Sequence, residues 1–343
     1  MKLATYQDGS RDGQLVVVAR DLGLAHYATG IASCLQQVLD DWDFLAPQLQ
    51  ALYVQLNTGK AAHPFPFDPR QCLAPLPRAY HWTQASAYLA ATERQCQLQQ
   101  QALPADAASV PRLRAGYGDA FLGPAQPLVL PADAQGVDVQ TGLAVITGDI
   151  PRSSSPARAL AAVRLLMLTG TVVRVPSGRA GAAAAAESGG LAIACSPVSV
   201  TPDELGPAWQ EGRVHLTLQV LCNGRKMGLC DTGPSMHFHF GQLLAQGCKH
   251  HAWQAGAVLG SGLVSHASGP NAQGEPEWPQ GACSIADKRA IETLQHGRAR
   301  TPFLRAHDSL CAEMKARDGH SLFGTLALSL LAPEDTAETA QAA

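Results

Sequence analysis

His237-Phe238-His239 is the segment whose residue types and spacing most directly suggest chemistry. On an extended chain, side chains two apart point to one face, so both imidazoles would present nitrogen to the same zinc or copper ion and stand as candidate catalytic groups. No third ligand stands at zinc spacing. The plainer alternative is two partly exposed histidines at a strand end. His250 and His251 are adjacent and diverge in either regular structure, so they read as surface residues.

The nine cysteines include no CxxC pair and their number is odd. A disulfide scaffold does not follow from that pattern; reduced thiols of a cytoplasmic protein do, each serving as a small buried apolar residue. There is no GxGxxG after a strand, no Walker loop, no GxSxG and no HExxH. Gly260-Ser261-Gly262 is followed by no helix-forming segment, which a nucleophile elbow requires. Nucleotide binding and serine-triad hydrolysis are therefore poor readings.

The elements that must position any site are those of an ordinary globular chain: 343 residues, 46% hydrophobic and 15% charged, with a formal charge of -3. Nothing in that charge balance favours nucleic acid or an anionic membrane as partner. No apolar run has the length of a membrane span, and the opening MKLATYQDGSRDG lacks a signal-peptide core.

Leu15-Val16-Val17-Val18, flanked by Asp8-Gly9 and Asp12-Gly13, reads as a strand between turns. Ile31, Leu35, Val38, Trp42, Leu45, Leu49, Leu52 and Leu56 recur at helical steps, with Pro47 expected to kink or divide the helix. A proline-rich connector over 64–77 leads into a β-rich second part. There Leu216, Leu218 and Val220 alternate with polar residues, and Asn223-Gly224 supplies a hairpin turn. Thr201-Pro202-Asp203-Glu204 predicts a helix start closed by a capping box, and 156–168 predicts a core-facing helix. The stretches 95–101, 181–190 and 333–343 look weakly constrained, the last a disordered tail. Many short strands and few helices predict an α+β fold with a β-dominated core.

Five segments carry a resemblance: MKLATYQDGSRDGQLVVVARDL at the start, FPFDPRQCLAPLPRAYHW at 65–82, GDAFLGPAQPLVLP at 118–131, SPVSVTPDELGPAWQEGRVHL at 196–216 and CSIADKRAIETLQHG at 283–297. In this order, over nearly the whole chain, they resemble the bacterial branch of the fumarylacetoacetate hydrolase family. The resemblance implies a small N-terminal barrel-like domain over 1–72, then a mixed β-sandwich roll over 73–332, usually in a homodimer. Family members hold Mg²⁺ or Ca²⁺ through four carboxylates, bind a β-diketo acid or related dicarbonyl on it, and use a histidine–glutamate pair to activate water for carbon–carbon cleavage.

Against that pattern this chain departs at the positions that matter. The matching ligand places are Gln84, Gln140, Gly142 and Thr171, and the catalytic histidine falls at Ala91. A family lysine falls within Ser188-Gly189-Gly190, and the threonine after the GSG turn is Leu263. Of the histidine–glutamate pair, a carboxylate survives as Asp287, one methylene shorter. No metal or other cofactor is expected.

The resemblance also points to candidate replacements. Asp287, Lys288, Arg289 and Glu292 belong to what the family makes a pocket strand; alternation would place Asp287 and Arg289 on one face, where the arginine would hold a substrate carboxylate, the alternative being a structural ion pair. Cys283 and Cys195 lie in segments near the inherited pocket, but a nucleophile needs an activating base. Arg114 and Tyr117 fall where the family has a substrate-contacting tyrosine. Two readings remain: a metal-independent enzyme acting on a β-dicarbonyl or polyketide-like compound, or a pseudoenzyme that binds a ligand or partner. A conventional acylpyruvate hydrolase stands third.

Overall fold

The structure is a computed structural model, and it describes residues 1–175, 190–274 and 276–335. Ser188, Gly189, the alanine run and, of the tail expected to be disordered, residues 336–343 lie outside the described residues. The architecture is α+β with mixed sheets, as expected. Its backbone is an eleven-stranded sheet whose order runs β4 (Phe65–Pro66), β3 (Leu24–Tyr27), β2 (Gln14–Val18), β1 (Lys2–Tyr6), β11 (Val198–Val200), β9 (Val163–Arg174), β8 (Val137–Thr147), β16 (Val258–Gly260), β5 (Trp82–Ala85) and β6 (Leu113–Gly116), with β10 (Ala192–Cys195) alongside β9. Strands β1 (Lys2–Tyr6) and β2 (Gln14–Val18) form a hairpin, and β1 pairs antiparallel with β11 (Val198–Val200), so the N-terminal strands continue the large sheet. Among the described residues no strand order closes into a barrel.

The middle of that sheet is built by two long strands, β8 (Val137–Thr147) and β9 (Val163–Arg174), antiparallel over nearly their full length. Both are mostly apolar and largely buried, with one core packing below and another above, and only Gln140, Arg164 and Arg174 half-buried. Beyond β8 follow β16 (Val258–Gly260), β5 (Trp82–Ala85) and the edge strand β6 (Leu113–Gly116). A five-stranded sheet contains β14 (Thr217–Cys222), β15 (Arg225–Asp231), β19 (Ser309–Met314) and β20 (Leu326–Leu331). Asn223 (φ 48°) and Gly224 (φ 71°) make the β14–β15 turn left-handed at both positions, as the sequence pair predicts.

Several helical expectations change. Residues 31–56 do divide, but at Asp41: α1 (Leu35–Asp40) ends there and α2 (Trp42–Asn57) carries Pro47 inside it. Only Pro156–Ala161 of the 156–168 segment is helical (α4); from Val163 the β-branched and leucine run joins the sheet as β9, where pairing with β8 outweighs the helical spacing. Residues 95–98 belong to α3 (Ala90–Leu98). Thr201 does precede a helical turn, a 3-10 segment over Pro202–Ala208, but no capping box forms. Glu204 is spent elsewhere, accepting from the Tyr53 hydroxyl at 2.7 Å and Arg20 Nε at 3.0 Å, which ties this turn to α2. No helix among the described residues is long and apolar enough to cross a membrane.

Candidate functional site

The residues equated by resemblance with the ligand positions do come together. Gln140 on β8 faces Thr171 on β9 as a register pair, and Gly142 lies two residues along β8. Gln84 on β5 reaches across β16, and its Nε2 donates a long hydrogen bond of 3.4 Å to Gln140 Oε1. Gln84 and Gln140 are half-buried; Thr171 and Gly142 are buried. Gly142 is a close approach of two backbones: a Cβ built there would lie 2.2 Å from Gly262 O and 2.9 Å from Ser261 Oγ, so no side chain fits without moving the Gly260–Gly262 turn. Ser261 N donates to Leu143 O at 2.7 Å and Leu143 N to Ser261 Oγ at 3.1 Å, which holds that turn on β8.

On the edge side, Arg114 on β6 is the register partner of Gln84, so the two side chains stand on one face about 5 Å apart at Cβ. The Arg114 side chain is exposed and has no ion-pair or hydrogen-bond partner among the described residues. Tyr117, just past β6, is 82% exposed and contributes nothing enclosed. Leu263 packs against the larger core.

Asp287 is where the structure departs most from expectation. It sits in the first turn of a helix, α6 (Ile285–His296), not on a strand, so Arg289 lies two helical steps away on another face. Ser284 caps the helix by accepting from Asp287 N at 3.1 Å, and Asp138 Oδ1 accepts from Ile285 N and Ala286 N at 2.7 and 3.2 Å. Arg94 of α3 meets the Asp287 carboxylate with both prongs, Nε to Oδ1 at 2.8 Å and Nη2 to Oδ2 at 2.6 Å, while Nη1 donates to His266 O at 2.6 Å. Both partners are buried. Burial raises the Asp287 carboxyl above its usual range, and the Arg94 charge and hydrogen bonds work in the other direction. Arg94 stands three residues after Ala91, one turn on along α3.

The rest of that charged run is structural. Arg289 donates to Thr301 O and stacks on Phe303 at 4.4 Å. Glu292 accepts from Arg300 N, Thr301 N and Thr301 Oγ1, tying down the loop after α6. Lys288 is half-buried on the helix.

His237 and His239 do not share a face. They lie in a bend, where His237 Nε2 meets Ala108 O at 2.8 Å and His239 caps α5 (Phe240–Gly247), accepting from Gly241 N at 3.1 Å in a capping box with Gln242. A cap uses the lone pair that a metal would need. Cys195 is buried in β10 (Ala192–Cys195) opposite Thr169, and burial pushes its thiol up. Cys283 is buried, its thiol raised by burial first. His250 and His251 are exposed.

Arg94, His266 and Cys230 are the residues that sequence reasoning missed. The signal for Arg94 was its helical spacing from Ala91; His266 and Cys230 meet only through the tertiary fold. Among the described residues no three or more His, Cys, Asp or Glu side chains converge with metal-binding geometry. Two cavities open elsewhere, one of about 420 Å³ over the outer face of β14 and β19 beside His215 and Lys315, and one of about 270 Å³ between Gln36 and Arg78.

The chain is similar to known proteins over nearly its whole length. The model described as fumarylacetoacetase N-terminal domain 2 matches residues 1–78, and that of fumarylacetoacetate hydrolase C-terminal matches 81–328. No curated protein sequence matches. Among solved structures, the fumarylacetoacetate hydrolase of psychrophilic Exiguobacterium antarcticum superposes with a TM-score of 0.64 at 17% identity, over 97% of this chain and 99% of that one. The maleylpyruvate hydrolase of Sphingobium sp. SYK-6, solved with manganese(II) and pyruvate, gives 0.63 at 16% identity over 97% and 99%. The 5-carboxymethyl-2-hydroxymuconate delta-isomerase of Mycobacterium smegmatis gives 0.57 at 15% over 97% and 99%. At these identities the likeness speaks for the fold.

Proposed function

Because the chain belongs to the fumarylacetoacetate hydrolase family, we propose that it keeps the family's dicarbonyl-binding frame and has given up metal-dependent carbon–carbon hydrolysis. One observation carries this reading: the two halves of the hydrolytic machinery are both occupied by groups that cannot do the work. At the ligand positions stand two amides, one hydroxyl and a glycine. These donors supply no negative charge, and a hard dication stripped of water needs carboxylate oxygens. The residues present do not fit Mg²⁺, Ca²⁺ or Mn²⁺, and Gly142 has no room for a replacement.

At the acid–base position, Asp287 is held by Arg94 in a bidentate pair with both groups buried. To accept a proton from water it would have to break that pair and leave a guanidinium buried without a counter-charge, at about 3–5 kcal/mol. It serves as an anchor, not a base.

What the frame still offers is neutral hydrogen bonding from Gln84, Gln140 and Thr171, plus the unpaired guanidinium of Arg114 on the same side as Gln84. A planar guanidinium suits a carboxylate. The ligand proposed is therefore a small carboxylate-bearing dicarbonyl, bound without a metal and not cleaved.

The experiment mixes the protein with acylpyruvates and β-diketones, with Mn²⁺ or with a chelator, and follows both binding heat and loss of the enol absorbance. The expected result is binding indifferent to chelator, about tenfold weaker in Arg114→Ala, and no turnover. Cation-dependent cleavage would overturn the proposal. Turnover that survives chelator would replace silence with the metal-independent enzyme.

A further inference from the structure

A group of nitrogen donors unused by that reading lies at the start of β5. His81 stands immediately before β5, its carbonyl accepting from Val258 N of β16 at 2.9 Å. The loop after α5 brings His251 beside it, with the two imidazole centroids 6.0 Å apart and the rings inclined at 61°. Both segments are pinned through the backbone. Two residues after His251, Trp253 N donates to Ile150 O at 2.9 Å and Ile150 N donates to Trp253 O at 2.9 Å. The Trp253 ring backs His81 at 4.4 Å between centroids.

Only one of the four ring nitrogens is occupied. His81 Nε2 meets the Thr83 hydroxyl at 2.8 Å, and Thr83 is buried. His81 Nδ1 and both ring nitrogens of His251 have no hydrogen-bond partner among the described residues. In the tautomer whose Nε2–H donates to Thr83 Oγ1, Nδ1 carries the lone pair, and the ring is held by the outer hydrogen bond that ligating histidines almost always make. His81 is half-buried and His251 exposed, so an ion in solvent reaches both.

We propose that His81 and His251 together bind one divalent cation of the Zn²⁺ and Ni²⁺ class, His81 through Nδ1, with water in the remaining coordination places. The separation suits it. A metal–nitrogen bond of about 2.0–2.1 Å puts a ring centroid about 3.2 Å from the ion. Two centroids then stand roughly 5.2 Å apart in a tetrahedral shell and about 6.4 Å apart when the nitrogens are opposite each other. The observed separation falls between these limits, and the exposed His251 ring can turn to meet either.

Imidazole nitrogen suits Zn²⁺, Ni²⁺ and Cu²⁺, whereas Mg²⁺ and Ca²⁺ take oxygen. The site therefore differs in chemistry from the amide and hydroxyl positions on β5, β8 and β9. Two protein ligands, one fewer than the usual catalytic zinc set, leave the ion exchangeable. Bound there, it ties the lead into β5 to the loop after α5.

The test titrates the full-length protein, free of any added histidine tag, with Ni²⁺ while tryptophan emission is read, and with Zn²⁺ in a calorimeter. A paramagnetic ion on His81 lies against Trp253, so emission should fall and saturate at one equivalent. Trp253→Phe should remove most of the quenching and keep the Zn²⁺ heat; Trp253 Nε1 is buried without a partner, so phenylalanine gives up no hydrogen bond. His81→Gln and His251→Gln should each weaken binding about tenfold or more, and Thr83→Val about tenfold. His250→Gln should leave it unchanged, and about a hundredfold excess of Mg²⁺ should not compete. No saturable response from the wild-type protein overturns the proposal, as does binding that persists in folded His81→Gln/His251→Gln or quenching that survives Trp253→Phe undiminished.

Discussion

Where β5, β8 and β9 meet, Gln84, Gln140, Thr171 and Gly142 bring together two amides, a hydroxyl and a bare glycine, whereas where α3 meets α6 a guanidinium and a carboxylate are buried together. The first region gathers neutral groups with no formal charge among them. The second buries one acid together with the base that neutralises it. The difference follows from the cost of burial: neutral donors can be left half-solvated at little expense, but a buried carboxylate must be paired or protonated. Arg94, on α3, supplies that pairing.

The largest effect should come from breaking the charged region. Arg94→Met leaves Asp287 buried and unpaired and should cost about 3–5 kcal/mol in urea unfolding, most of it regained in Arg94→Met/Asp287→Leu. A single-variant cost under about 1 kcal/mol would say the pair is not what holds α3 to α6.

Next comes Asp138, which is fully buried, has one oxygen without a partner and has its carboxyl raised by burial to about 6. A folded-state value above the ordinary 3.8 means the proton is bound more tightly in the folded chain. Its contribution is complete below about pH 4 and is lost as pH rises through about 6. Wild type should therefore lose on the order of 3 kcal/mol relative to Asp138→Asn between pH 4 and pH 7, read as the difference between two stability-versus-pH curves. Parallel curves would refute it.

In the neutral region, Gly142→Ala should cost about 1–3 kcal/mol because its Cβ meets the Gly262 carbonyl, while half-buried Gln140→Glu should change stability by less than about 1 kcal/mol. Equal costs would mean that the turn yields. The smallest effect is Ser284→Ala, about 1 kcal/mol by thermal unfolding, from loss of the α6 cap.

The alternating strand at 216–220 and its Asn-Gly turn were legible in the sequence, because period-two burial and left-handed φ are local demands. The run from Val163 was not: its leucines suit either a helix or a doubly buried strand, and only pairing with β8 decides. The gathering of Gln84, Gln140, Gly142 and Thr171 was reached through the family resemblance, since no local rule brings β5 to β8. The charged run 287–292 was read with the wrong period, as a strand, although Ser284 three residues before Asp287 is a helix-cap signal. The Cys230–His266 contact spans 36 residues and has no sequence signature.

The most direct test is a calorimetric titration of the full-length protein with Mn²⁺ and Mg²⁺ at millimolar ion. No saturable heat is predicted, and no change in unfolding temperature. Saturable binding of one ion that Gln140→Ala or Thr171→Val abolishes would contradict the account.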